Sequence, residues 1–209
     1  MIAVMMGVSG CGKTSVGRRL GEALGWRFIE GDDFHPPENV AKMSAGIPLE
    51  DADRWPWLDR LADEIGTIAE RGGDAIVACS ALKQSYRDRL AAKAPPGSVR
   101  FVHLTGTYDE IAARLAKRKH RYMPASLLAS QFATLEPPAD AIVVGIRERV
   151  GDRVAEIRVA LGARERDGYN VVPAKAETRS LPTNDTVVPV KAGTQRLSTK
   201  DTGFPPSRE

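Results

Sequence analysis

The sequence predicts an α/β fold built on a mainly parallel sheet, and three observations carry the prediction. Short apolar runs of strand length recur as far as Leu161, and segments with apolar residues three and four apart separate them. A glycine-rich motif ending in lysine joins the first apolar run to the first helical segment. Strand and helix in alternation imply a sheet sandwiched between helices, because a crossover helix is what returns the chain to start a parallel neighbour.

The elements follow in order. Ile2, Ala3, Val4, Met5 and Met6 form an unbroken apolar run stopped by Gly7, the mark of a strand buried on both faces. Val16, Leu20, Ala23 and Leu24 then recur at helical spacing, and residues 27–30 give a second strand that ends on acidic residues. Leu58, Leu61, Ile65 and Ile68 mark one helix face. Residues 75–79 and 99–104 read as two more buried strands, with Ile111 and Leu115 marking a helix after them. Residues 141–144 supply a fifth strand, and Val150, Val154, Ile157 and Leu161 a final helix.

The pattern stops at about Ala163. Beyond it VVPAKA at 171–176 is echoed by VVPVKA at 187–192, and Thr178 and Leu181 by Thr194 and Leu197. Two copies amid Pro, Thr, Ser and Gly are too few for a solenoid, which needs about three repeats to bury a core. The reading is a folded domain over residues 1–163 and a disordered extension over 164–209, with a docking or regulatory arm as the alternative.

Composition narrows the partners. The formal net charge is +3, from 30 Lys and Arg against 27 Asp and Glu, and no dense basic run offers a nucleic-acid footprint. Cys11 and Cys79 stand far apart without metal-ligand spacing, so a reducing cytoplasm is the expected setting. The opening apolar run is too short for a membrane span or a signal-peptide core, so neither membrane nor export is expected.

Gly7, Val8, Ser9, Gly10, Cys11, Gly12, Lys13 and Thr14 satisfy G-x-x-x-x-G-K-[ST] between a strand and a helix, with Ser15 following into the helix. In such a loop, backbone N–H groups wrap a polyphosphate, the lysine reaches the β and γ phosphates, and the hydroxyl of Thr14 ligates Mg²⁺. Asn39, Asn170 and Asn184 are the only asparagines, and none is followed by Lys, so the guanine signature Asn-Lys-x-Asp is missing. ATP and a compact kinase fit the chain better than a GTPase switch.

Just past the second predicted strand come Glu30, Gly31, Asp32, Asp33, Phe34, His35 and Pro36, at the sheet end where ligands of open α/β folds collect. A hydroxyl acceptor needs a carboxylate to orient it and take its proton, which makes Asp32 the candidate base, while a second acid could serve Mg²⁺. The residues alone leave open a solvated turn or a helix N-cap for the Asp pair. Arg54, Lys83, Arg87, Arg118, Lys119 and Arg121 are candidate cations for a substrate carboxylate or a transferred phosphoryl group, although each alone also reads as a surface charge. His103 lies in an apolar strand and reads as structural; His35 and His120 lie in polar loops.

Taken together, GVSGCGKT at 7–14, EGDDFHPPEN at 30–39, KMSAGIPLEDADRWPWL at 42–58, CSALKQSYRD at 79–88 and YMPASLLASQFATLEPP at 122–138 resemble the gluconokinase family. That family is related to shikimate kinases within the nucleoside-monophosphate-kinase-like group of P-loop proteins. The resemblance spans about residues 2–161 and implies a five-stranded parallel sheet, a lid that closes over ATP, a cytoplasmic homodimer, and Mg²⁺-dependent transfer of the γ-phosphoryl group of ATP to the 6-hydroxyl of D-gluconate. It also implies roles: Glu30 on the metal side with Thr14, Asp32 at the acceptor, His35 and Arg54 on the substrate with Arg54 at its carboxylate, Lys83 and Arg87 along the sugar pocket, and Arg118 as the lid arginine. Position alone, at the end of the last strand, makes residues 145–147 the expected place for adenine. Cys11 stands where the family commonly has Ser, which raises oxidation sensitivity if the thiol is exposed. Arg121, Tyr122, Met123 and Pro124 replace the more usual His-Phe-Met-Pro, and the tail carries no inherited role. The alternatives are a kinase of another hydroxy acid such as shikimate, and an ATP-binding regulatory protein.

Overall fold

The computed structural model describes residues 1–117 and 125–162. Five strands alternate with helices: β1 (Ile2–Met6), α1 (Lys13–Leu24), β2 (Arg27–Glu30), a 3₁₀ turn (Gly31–Phe34), α2 (Pro37–Ser44), α3 (Asp51–Glu70), β3 (Ala75–Ala78), α4 (Gln84–Ala91), β4 (Val99–Thr105), α5 (Tyr108–Ala116), α6 (Ala125–Thr134), β5 (Ile142–Gly145) and α7 (Val150–Leu161). The strands pair in the order β2-β3-β1-β4-β5, all parallel. The fold class and five-stranded sheet expected from the sequence are what the chain adopts.

β1 lies at the centre, with Ile2 opposite Ala75 on one side and Val99 on the other. Because side chains alternate across a strand, its residues divide between two cores. Ala3 and Met5 pack with Val16, Leu20, Ile111, Ile157 and Leu161, under α1, α5 and α7. Ile2, Val4 and Met6 pack with Leu58, Leu61, Ile65 and Leu90, under α3 and α4. All five β1 side chains are fully buried, which is why the strand reads as one apolar run instead of an alternation.

Element ends differ from the sequence reading by one residue at β3, β4 and β5. Cys79 still donates its N–H to Met5 O at 3.1 Å, but the chain then turns so that Ser80 O accepts from Gly7 N, and the ladder ends at Ala78. Ala23, counted in the helical pattern of α1, is exposed, whereas Val16, Leu20 and Leu24 are buried. Among the described residues, no helix is long and apolar enough to cross a membrane. Arg118, Lys119, His120 and Arg121, the 121–124 departure and the extension read over 164–209 lie outside the described residues.

Candidate active site

The carboxyl ends of β1, β2 and β3 meet where the strand order reverses, and the site is built there. The chain leaves β1 at Gly7 with φ +127°, and a Cβ there would lie 2.6 Å from Leu104 O, so only glycine lets the loop begin this close to β4. The loop ends at Gly12, the N-cap of α1, with φ +105°. Lys13 starts the helix and folds back, donating from Nζ to Gly7 O at 3.0 Å and Val8 O at 3.2 Å. Those carbonyls hold the ammonium at the loop until a phosphate offers a stronger, charged acceptor. Ser15 is exposed one residue after Thr14. Cys11 is buried and packs within the core, so the exposure on which its oxidation sensitivity depended is absent.

Two contacts tie this loop to the rest of the site. Thr14 Oγ1 donates to Glu30 Oε2 at 2.8 Å, joining the first turn of α1 to the end of β2. Ser9 N donates to Gln131 Oε1 at 2.7 Å while Gln131 Nε2 donates to Ser9 Oγ at 3.2 Å, joining the loop to α6. Burial pushes the Glu30 pKa above the ordinary range and the charges of Asp32 and Asp33 add to this, against the Thr14 hydrogen bond and the Lys13 charge. Asp32 and Asp33 are exposed on the 3₁₀ turn that follows. That turn is fixed from behind by Trp57, whose indole N–H donates to Gly31 O at 2.7 Å.

His35 stacks on Trp57 with ring centroids 4.0 Å apart and stands 3.2 Å, through Nδ1, from Asn39 Nδ2. Asn39 also donates to Asp53 O at 2.8 Å, so α2, α3 and His35, just past the 3₁₀ turn, share one polar joint. Burial holds the His35 pKa below its ordinary value, with the Arg54 charge acting the same way and Asp32 opposing. The imidazole is therefore neutral at pH 7.

Arg54 and Lys83 converge from different segments. Both pair with Asp51: Lys83 Nζ lies 2.8 and 2.7 Å from its two oxygens, and Arg54 Nη1 at 3.5 Å. Tyr86 donates its hydroxyl to Asp51 and accepts from Arg54 Nη1 at 3.2 Å. The hydrogen bonds from Lys83 and then Tyr86 lower the Asp51 pKa, and the Asp51 bond raises that of Lys83. Asp51 and Tyr86 were not singled out from the sequence, although both fall inside the PLEDADR and QSYRD segments; an acid and a phenol become visible as partners only once α3 and α4 pack together.

Arg87, expected along the sugar pocket, is buried and bonded within its own segment. It is 2% exposed, and its Nη1 donates to Ala81 O at 3.0 Å and Leu82 O at 3.1 Å, while Nε and Nη2 reach Gln84 Oε1 at 3.2 and 2.8 Å. A buried guanidinium must spend its donors on nearby acceptors. Here they brace the turn at Ala81, whose φ of +45° is unusual for a residue with a side chain. Arg87 thus supports the segment that carries Lys83. His103 is buried in β4 with its pKa lowered by burial and then by Arg87, in keeping with a structural histidine.

At the position expected for adenine, Gly145 ends β5, Ile146 N donates to Thr105 O at 2.9 Å and Ile146 O accepts from Arg114, while Arg147 pairs with Glu110. The loop is thereby tied to α5. Glu136, just past α6, accepts from Gln84 N at 2.6 Å and donates its own N–H to Leu82 O at 2.9 Å. Among the described residues no three His, Cys, Asp or Glu side chains group as a metal site. The Thr14 and Glu30 oxygens are nevertheless the hard donors that suit Mg²⁺, which keeps most of its coordination for water and phosphate.

A family described as an AAA domain matches residues 2–138. The chain is 52% identical over 137 residues to a gluconokinase of Gluconobacter oxydans (strain 621H), covering 66% of this chain and 76% of that protein. To the thermosensitive gluconokinase of Escherichia coli (strain K12) it is 41% identical over 162 residues, covering 76% and 86%. The crystal structure of a gluconokinase from Sinorhizobium meliloti 1021 superposes with a TM-score of 0.70 at 44% identity, covering 77% of this chain and 92% of that one.

Proposed function

This chain belongs to the gluconokinase family of ATP-dependent P-loop kinases, and we propose that it transfers the γ-phosphoryl group of ATP to the 6-hydroxyl of D-gluconate, giving 6-phospho-D-gluconate and ADP. The observation that carries the reading is the Thr14 to Glu30 hydrogen bond of 2.8 Å, which sets the acceptor turn bearing Asp32 directly against the phosphate loop.

Asp32 takes the proton of the 6-hydroxyl as its oxygen bonds to phosphorus and the bond to the ADP oxygen breaks. Lys13 moves from the Gly7 and Val8 carbonyls to the phosphates and neutralises charge passing to ADP. Thr14 and Glu30 would hold Mg²⁺, which would supply positive charge to offset the negative charge carried by the phosphates. Arg54 and Lys83 hold the gluconate carboxylate, oriented by Asp51 and Tyr86, with neutral His35 beside them. By family likeness Arg118 is the lid arginine, and the protein is a cytoplasmic homodimer.

ADP release, measured with Mg²⁺, ATP and a panel of D-gluconate, shikimate, other aldonic acids and glucose, tests this. D-Gluconate should be the preferred acceptor, and Asp32→Asn should cut kcat by about 10²-fold or more. Turnover indifferent to gluconate would sink the substrate, and a fully active D32N would sink the base.

A further inference from the structure

One buried cation takes no part in the reaction above. Arg153, on α7, is 4% exposed, and its Nε and Nη1 have no hydrogen-bond partner among the described residues. It lies against the phosphate loop: a Cβ built on Gly12 would stand 3.4 Å from Arg153 Nη1. The guanidinium thus sits within van der Waals reach of the N-cap of α1.

Among the described residues, no hydrogen-bond acceptor meets Nε or Nη1 to compensate this placement. Burying an unpartnered guanidinium carries a large desolvation cost. The N-terminus of α1 adds the positive end of its dipole, and Arg114 adds a second positive charge. Burial first, and Arg114 next, push the Arg153 pKa down, while Cys11 and Glu148 act the other way. Three positive features converging on one point form a poor arrangement for a protein alone and a good one for an anion between them.

We propose that Arg153 is a nucleotide-binding residue, its guanidinium donating to the phosphate chain of the nucleotide from the α7 side while the loop amides and Lys13 hold it from the other. The ligand chemistry is a di- or triphosphate. The inference uses only the family's dependence on ATP and is independent of which sugar acid accepts the phosphoryl group.

The test compares wild type, R153M and R153K as full chains, titrating each with ADP, inorganic tripolyphosphate and adenosine and melting each without ligand. In R153M the Kd for ADP and for tripolyphosphate should rise at least about tenfold, with adenosine unchanged and R153K recovering part of the loss. The melting temperature of ligand-free R153M should equal or exceed that of wild type, since the variant removes an unpaired buried charge. Unchanged ADP and tripolyphosphate affinity overturns the proposal. So does a loss shared equally by adenosine with a lowered melting temperature, which would make Arg153 a packing residue between α7 and α1.

Discussion

Glu30 shows most plainly what the site costs the fold. Its proton is held more tightly in the folded chain than in the unfolded one, because burial and the neighbouring Asp32 and Asp33 disfavour the carboxylate. The stability linked to it is therefore complete below the ordinary glutamate value of 4.5 and is lost as pH rises through the raised folded value. Glu30→Gln keeps an acceptor for Thr14 and cannot ionise. Thermal melts without ligand should find E30Q at least as stable as wild type at pH 7 to 8, with the difference closing as pH falls below about 4. Turnover should still fall, since the metal side loses a charge. An E30Q protein that melts lower than wild type at pH 7 would show that the Thr14 contact outweighs burial.

At the scale of elements, α6 stands out because it reaches both halves of the site: Gln131 grips Ser9 in the phosphate loop, and Glu136, just beyond the helix, bonds to Leu82 and Gln84. Gln131→Ala removes both bonds to Ser9. A neutral hydrogen bond contributes on the order of 1 kcal/mol, so the KM for ATP should rise about 3- to 10-fold with the KM for gluconate little moved. Initial rates at varied ATP and gluconate check this, and equal effects on both substrates would count against a loop-specific role. The elements differ in how far they could be read beforehand. β1, α1, α3 and α7 were legible because each buries a continuous stripe or run. By contrast α2 exposes Val40 and Met43, α4 is charged on much of its surface, and α6 sends Leu128 into the core with Phe132 partly buried against it, too few apolar residues to set a period. Within the site, the phosphate loop and Glu30 were legible because their chemistry is local in sequence. Gln131, Tyr86 and Trp57 depend on partners 26 to 122 residues away, and the inward turn of Arg87 depends on the backbone turn at Ala81, neither of which periodicity encodes.

For the whole molecule, two cores on opposite faces of one sheet supply the packing, and every residue named in the catalytic proposal apart from Arg118 lies on, or immediately beside, an element packed on that sheet. A chain ending at Ala163 should therefore unfold cooperatively and keep its turnover within about twofold of the full chain, as kinetics and thermal melts on the two would reveal; a large loss would assign the remaining residues a working role. The two cysteines add a consequence of a different kind. Cys11 is sealed in the core beneath α1 and Cys79 in the core beneath α3, and burial pushes the Cys79 thiol up to about 12. Neither sulfur can meet an alkylating reagent until its own layer opens. Their separate labelling rates are thus two clocks built into one sheet, one timing the breathing of the nucleotide face and the other that of the opposite face.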